Sequence, residues 1–294
     1  MDKSKSHRVI CFGEVLWDNL PTGKRIGGAP LNVCYHINQH GIVGEMISQV
    51  GVDQLGIELR QEIKALNIKD HFVDDDTAHA TSVVEVCLHE HGQVSYEIIA
   101  DVAWDYIAFR PEIAEIVQES SIFVFGSLAT RNKKTRETLL QYLPYSPWTV
   151  FDVNLRQHYF SKDLIISLIE VTKTLKVNEE ELVLIGNWLR YTKHHIAEYP
   201  GLLLQQFPLL QEVILTKGAS GAYYQNREVS YPVKACKVSV MDTVGAGDSF
   251  LAAFLAKKLQ GNSLEEALAH ASKISGFVAS CEGACPAYPK SLLG

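Results

Sequence analysis

In the run Asp242-Thr243-Val244-Gly245-Ala246-Gly247-Asp248-Ser249-Phe250, two glycines flank an alanine and an aspartate follows at once. The apolar stretch Phe250–Ala256 comes next and predicts a helix from Ala246 to about Leu259, ended by Gly261. Glycine lets a backbone turn its amides inward, with no Cβ to obstruct a ligand. A helix N-terminus aims unpaired N–H groups and a partial positive charge in the same direction. Gly245, Ala246 and Gly247 therefore form a candidate anion site suited to phosphate. Asp248 falls in the first helical turn, where its carboxylate can accept a proton from an attacking hydroxyl. The macrodipole alone also favours an aspartate there, and Gly-Ala-Gly also serves as plain loop chemistry. The rest of the chain has to decide between the two.

Other chemistry-bearing residues recur where strands are expected to end. Asp18 follows the apolar run Val9–Phe12 and Gly13, placed to hydrogen-bond a polyol or to cap a turn. Gly27-Gly28-Ala29-Pro30-Leu31-Asn32-Val33 is a second glycine-rich entry to a helix, with Pro30 suited to its first turn. Asn32 there offers a donor and an acceptor to a hydroxyl-rich ligand or to the backbone. Arg156 can fork onto a phosphate or rest in a surface salt bridge. Asn178 and Glu181, three apart at a helix start, share a face. They suit Mg²⁺ held largely through water, or simply a solvated acidic turn. Thr216, Lys217 and Gly218, with Gly221 just beyond, supply a hydroxyl, an ammonium and free amides for a triphosphate tail.

The elements that must position these residues follow the strand–helix alternation of an α/β fold. Val9–Phe12, Met46–Val50, Ile122–Phe125, Thr149–Val153, Thr174–Val177 and Val213–Thr216 read as strands, several followed by helices, one of them starting at about Thr130. This predicts a mostly parallel sheet with helices on both faces, and ligands outside the carboxyl ends of its strands. Asp53 is a plausible N-cap for a helix through about Leu66. Thr81–Ile99 departs from the pattern: two strand-like runs flank His89-Glu90-His91-Gly92-Gln93, a β-hairpin added as a flap, with His89 and His91 as solvated turn residues. A last helix runs from about Leu264 to Ala279, and the irregular tail Gly283–Pro289 is placed to wall a pocket.

Composition excludes several classes. The 294 residues can bury a large core, with 47% hydrophobic and 21% charged residues. A net charge of −7 argues against a nucleic-acid or membrane-surface partner. No apolar run approaches a membrane span and the polar N-terminus lacks a secretory segment, so the cytoplasm is expected. The six scattered cysteines read as reduced thiols, and no histidines follow Cys281 and Cys285 to complete a zinc site. The P-loop, H-E-x-x-H and G-x-S-x-G patterns are all absent, and Gly245–Phe250 lacks the third glycine of G-x-G-x-x-G.

Taken together, Asp242–Phe250 and Gly27–Val33, in this order with Asn178…Glu181 between them, resemble the two signatures of the ribokinase-like (PfkB) carbohydrate kinases. The resemblance covers nearly the whole chain. It implies one kinase domain over residues 1–294, with lid segments at about 15–28 and 81–101. It implies transfer of a phosphoryl group from ATP to a sugar hydroxyl, with Asp248 as base and Gly245, Ala246 and Gly247 as anion hole. Asp18, Gly28 and Asn32 match sugar-contacting positions, Asn178 and Glu181 the magnesium and phosphate motif, Thr216 and Gly218 nucleotide-contacting positions, and Ser272 a place near the adenine. Many relatives hold K⁺ near Asp242, Val244 and Gly283; Ala287 stands here where a serine is common. Gly13–Pro21 and Gly27–Asn32 look most like bacterial fructokinases, while Asp152-Val153-Asn154-Leu155-Arg156 is shared with ketodeoxygluconate kinases. A kinase for ribose, a nucleoside or 2-keto-3-deoxygluconate, and a non-catalytic sensor on the same fold, are the competing readings. A lid hairpin also offers an edge through which a second copy can pair.

Overall fold

A computed structural model describes residues 7–20, 23–88 and 94–293. Nine strands form its main sheet: β1 (Arg8–Phe12), β4 (Val43–Gly51), β5 (Val73–Asp76), β8 (Ile122–Gly126), β9 (Thr149–Asp152), β10 (Thr174–Asn178), β11 (Glu212–Thr216), β12 (Ala222–Asn226) and β13 (Ser230–Val233). Their order is β13-β12-β11-β10-β9-β8-β1-β4-β5. All pairs are parallel except β11–β12 and β12–β13. The expected parallel sheet is present. The two antiparallel edge strands were not expected, although Tyr223, Tyr224 and Tyr231 flank a turn whose Asn226 Oδ1 accepts from the Glu228 and Val229 amides.

Side chains alternate across each strand, so the sheet feeds two cores. Val9 and Cys11 pack with α1 (Ala29–Gln39), α8 (Ala246–Leu259) and α9 (Leu264–Ala279). Ile10 and Phe12 pack on the other face with α3 (Pro111–Glu119), α4 (Lys133–Tyr142), α5 (Lys162–Glu170), α6 (Glu179–Trp188) and α7 (Tyr199–Gln206). α2 (Gln54–Ala65) starts at Asp53, whose carboxylate accepts from the Gly56 amide as an N-cap should. α4 begins at Lys133, not near Thr130. Leu128–Thr130 makes a tighter 3₁₀ turn, and Asn132 caps the helix by accepting from the Lys134 amide. No described helix is long and apolar enough to cross a membrane.

A second sheet, ordered β3-β2-β6-β7, is built from β2 (Leu16–Leu20), β3 (Gly23–Gly27), β6 (Val83–Leu88) and β7 (Val94–Ile98). The strands of the expected hairpin are β6 and β7; His89 and His91 lie outside the described residues, as do Pro21 and Thr22. Asp18, read as either a polyol contact or a turn cap, lies inside β2 opposite Arg25 of β3, where Trp17 and Asp18 also pair with β6. The small sheet is tied to the main body. Trp17 Nε1 donates to the Leu55 carbonyl (3.0 Å), Lys24 pairs with Glu58, and Arg25 pairs with Glu282.

Beneath the end of β7 lies a buried ion pair. Arg131 donates from Nε and Nη2 to the two oxygens of Asp105, at 2.7 Å each, and from Nη2 to the Ile99 carbonyl. The guanidinium lies 4.0 Å from the Trp104 ring centroid. Removing one partner of a buried pair strands the other charge. Asp105→Ala is expected to lower stability by about 3–5 kcal/mol, read as a shift in urea midpoint; an unchanged midpoint refutes this role for the pair.

Candidate active site

The main strands end along one edge, and the order reverses at β1, between β4 and β8, the position where open α/β sheets bind ligands. α8 enters this edge. Its residues Phe250–Ala256 are all buried, so the helix is locked on every side. Gly245 precedes it in the left-handed conformation (φ 75°), and a Cβ there would lie 2.7 Å from Ala284. Only glycine fits. The helix opens with no side-chain cap, and the Ala246 amide donates to the Thr243 carbonyl at 3.3 Å.

Asp248 is buried in the first turn, and its Oδ2 accepts from Asn32 Nδ2 at 2.8 Å. Asn32 is itself fixed in the first turn of α1, behind Gly28, where a Cβ would lie 2.4 Å from the Glu14 carbonyl. Two chain segments 216 residues apart thus meet side chain to side chain. Below them, Lys176 Nζ of β10 donates to both oxygens of Asp152, at 2.7 and 2.8 Å. A Cβ on Gly247 would lie 3.1 Å from that ammonium, so Lys176 supports the glycine loop from beneath.

These charges set the protonation of the site. Burial, then the charge of Asp152, pushes Asp248 up to about 6, against Lys176, Asn32 and Arg156. Burial works against the Lys176 ammonium, but the charges of Asp152 and Asp248 outweigh it and hold the pKa above the usual lysine value. Burial pushes Glu14 to about 7, and its Oε2 has no hydrogen-bond partner. Burial also raises Asp18, opposed by Arg156. Arg156 is exposed, on a loop where Asn154 and Gln157 take positive φ, and its field reaches Glu14, Asp18 and Asp248 alike.

The remaining candidates spread along the same edge. Asn178 caps α6: its Oδ1 accepts from the Glu181 amide, and Glu181 Oε2 accepts from the Asn178 amide. Glu181 Oε1 accepts from the Leu155 amide, which joins this motif to the Arg156 loop. Each Glu181 oxygen keeps a lone pair. No cluster of three or more His, Cys, Asp or Glu able to hold a metal occurs among the described residues. Asn178 and the Glu181 carboxylate offer oxygen donors of the kind Mg²⁺ takes alongside retained waters. Thr216 ends β11 and donates to the Val177 carbonyl (3.4 Å), and Lys217 Nζ lies 3.5 Å from Glu179. Gly218 and Gly221 take positive φ in the turn that follows. Gly221 packs against Val233 and Ala235, and Ser272 on α9 donates to the Lys234 carbonyl, so both adjoin one segment. Ser272 also lines a cavity of about 360 Å³ with Tyr231, Val233, Cys236 and Leu268. One turn on, Ser275 donates to the Ala246 carbonyl, linking that wall to the glycine loop.

Sequence reasoning missed Glu14, Asp152 and Lys176 as members of the cluster. Lys176 carried a signal: a lysine inside the apolar strand Leu175-Lys176-Val177 needs a buried counter-charge.

Residues 4–291 match the family described as pfkB family carbohydrate kinase. The chain belongs to the PfkB family of carbohydrate kinases. It is a sugar kinase, a phosphotransferase with an alcohol group as acceptor. "Probable fructokinase-6, chloroplastic" of Arabidopsis thaliana is 27% identical over 315 residues, covering 97% of this chain and 80% of that protein. The ATP-bound fructokinase of Xylella fastidiosa superposes with a TM-score of 0.83 at 19% identity, over 96% of this chain and 94% of that one. A fructokinase double mutant of Vibrio cholerae O395, holding fructose, ADP and potassium, gives 0.81 at 22%, over 98% and 97%. The fold is thus shared over 96–98% of this chain.

With Asp248 in the role of base, which must be ionised to act, kcat/KM of this PfkB kinase is expected to rise with pH through about 6. Asn32→Ala removes a hydrogen bond that favours the carboxylate and should move that limb to higher pH. A limb that stays in place in the variant would refute the coupling.

Proposed function

We propose that the chain transfers the γ-phosphoryl group of ATP to a hydroxyl of a neutral sugar, fructose in the first instance. The observation that carries this reading is Asp248, buried at the first turn of α8, hydrogen-bonded to Asn32 and set over the Lys176–Asp152 pair. In the mechanism, Asp248 takes the proton of the acceptor hydroxyl. The hydroxyl oxygen forms the new bond to the γ-phosphorus, the bond to the β,γ-bridging oxygen breaks, and ADP leaves. The amides of Gly245, Ala246 and Gly247, with the start of α8, stabilise charge on the transferring group. Asp18, Gly28 and Asn32 bind the sugar, and Arg156 balances the charge around it. Thr216, Lys217, Gly218, Gly221 and Ser272 form the nucleotide side.

Asn178 and Glu181 would hold Mg²⁺ through water; when bound, the ion neutralises phosphate charge. For a potassium ion, the Gly283 amide donates to Asp242 Oδ2 at 3.1 Å, which brings two of the carbonyl-bearing residues together. Ala287 adds no side-chain oxygen, and no step depends on the ion. The second sheet serves as a lid that excludes water, and its edge strands β3 and β7 offer the route by which two copies would pair.

Charge supports a neutral acceptor. Glu14, Asp18 and Asp248 share the field of Arg156, and the other cation at Asp248, Lys176, is already paired with Asp152, so a sugar acid would add a further negative charge to a pocket already rich in carboxylates. The names of the plant and bacterial relatives favour fructose. Coupled ADP release with MgATP against fructose, ribose, adenosine, tagatose and 2-keto-3-deoxygluconate tests the reading. Turnover highest on fructose is expected. A preference for 2-keto-3-deoxygluconate would overturn the charge argument, and no turnover on any member would favour a sensor.

A further inference from the structure

After α9 the chain crosses back over the starts of α8 and α1. Ala284 packs on Gly245, with no room for a Cβ between them. Cys285 Sγ lies 3.5 Å from Asn32 Oδ1 and donates to it. This strap therefore touches both the glycine loop and the partner of Asp248. It is held from α1. His36, fully buried and one turn beyond Asn32, has its Nε2 2.9 Å from the Ala284 carbonyl and its Nδ1 2.7 Å from the Tyr288 hydroxyl. The two rings stack at 5.6 Å, and the Tyr35 hydroxyl donates to the Pro286 carbonyl at 3.0 Å.

The hydrogen-bond partners fix the histidine. A carbonyl only accepts, so Nε2 carries the proton and Nδ1 accepts from Tyr288. Burial pushes His36 down to about 3, so the ring is neutral at any working pH. Its own carbonyl receives His40 Nδ1 (2.7 Å), and His40 Nε2 meets His270 Nε2 of α9 (2.9 Å). The ladder thus runs from α9 through α1 to the strap, with no solvent-exposed link at His36. Nothing in the proton transfer itself uses these residues.

We propose that His36, oriented by Tyr288, is a positioning residue for phosphoryl transfer. It pins the strap at Ala284 against Gly245, and so holds the anion-binding amides in register with Asn32 and Asp248. This rests on the reading of the site given under Proposed function. Loss of the pin displaces the glycine loop, and a misplacement of about 1 Å costs roughly 10²-fold in rate.

The test compares His36→Leu, His36→Gln and Tyr288→Phe in two assays. One is steady-state turnover on the preferred sugar. The other is the alkylation rate of Cys285 by iodoacetamide, read by peptide mass spectrometry. His36→Leu should lose roughly 10²-fold in kcat with little change in KM for ATP, and Cys285 should alkylate at least about tenfold faster as the strap lifts. His36→Gln keeps an amide donor for Ala284 and should recover most of both. Tyr288→Phe should fall between, and it carries the test if His36→Leu does not fold. Equal behaviour of the Leu and Gln variants, or unchanged kcat and alkylation in all of them, overturns the proposal. If the wild type turns over no sugar, the kinase reading fails by itself, and the alkylation arm still decides whether His36 holds the strap.

Discussion

A carboxylate placed at the start of a helix buried on every side needs compensation for lost solvation, and this requirement shapes the centre of the molecule. Phe250 to Ala256 are all buried, and Asp248 just ahead of them keeps only 9% of its surface exposed. Four things make the charge tolerable: the partial positive charge of the helix start, the Asn32 amide at 2.8 Å, the Lys176 ammonium beneath the loop and the field of Arg156. Asp152 takes both hydrogen bonds from that ammonium and so keeps it from neutralising Asp248 outright. The result is a carboxyl shifted up to about 6, ionised at neutral pH yet basic enough to accept a proton.

Each compensating group comes from a different element, so the fold must deliver them together. β9 and β10 bring Asp152 and Lys176 as neighbours in the parallel sheet, at register partners. α1 brings Asn32 from the first thirty-odd residues of the chain, and α8 brings the loop from near the end. The two packed faces of the sheet hold these elements together, and the second sheet is fastened beside them through Trp17 and two ion pairs.

Local signals carried much of this. Gly245–Phe250 reads as a loop entering a helix because glycine, an acidic first turn and an apolar run coincide. The start of α9 at Leu264 agrees with the sequence reading, and a capping box of Ser263 and Glu266 fixes it. What the sequence hid was tertiary. Lys176 and Asp152 lie 24 residues apart and acquire meaning only when β9 and β10 pair. Asp18 read equally as a polyol contact or a turn cap, because its strand partners lie in segments that pair at a distance. β12 and β13 were lost to a short polar turn between tyrosine-rich runs. Asn178 and Glu181 read both ways, and the cap they form does not exclude a water-mediated metal role.

The account turns on Asp248 acting as the base rather than only as a capping or structural carboxylate. The direct measurement is turnover of Asp248→Asn at pH 8, beside calorimetric binding of ATP to the same protein. Asparagine keeps the shape and the contact to Asn32 but cannot take a proton. The account predicts a loss of at least about 10³-fold in kcat with nucleotide affinity close to that of the unaltered chain. Turnover within about tenfold of the unaltered chain, with the fold intact, would contradict it.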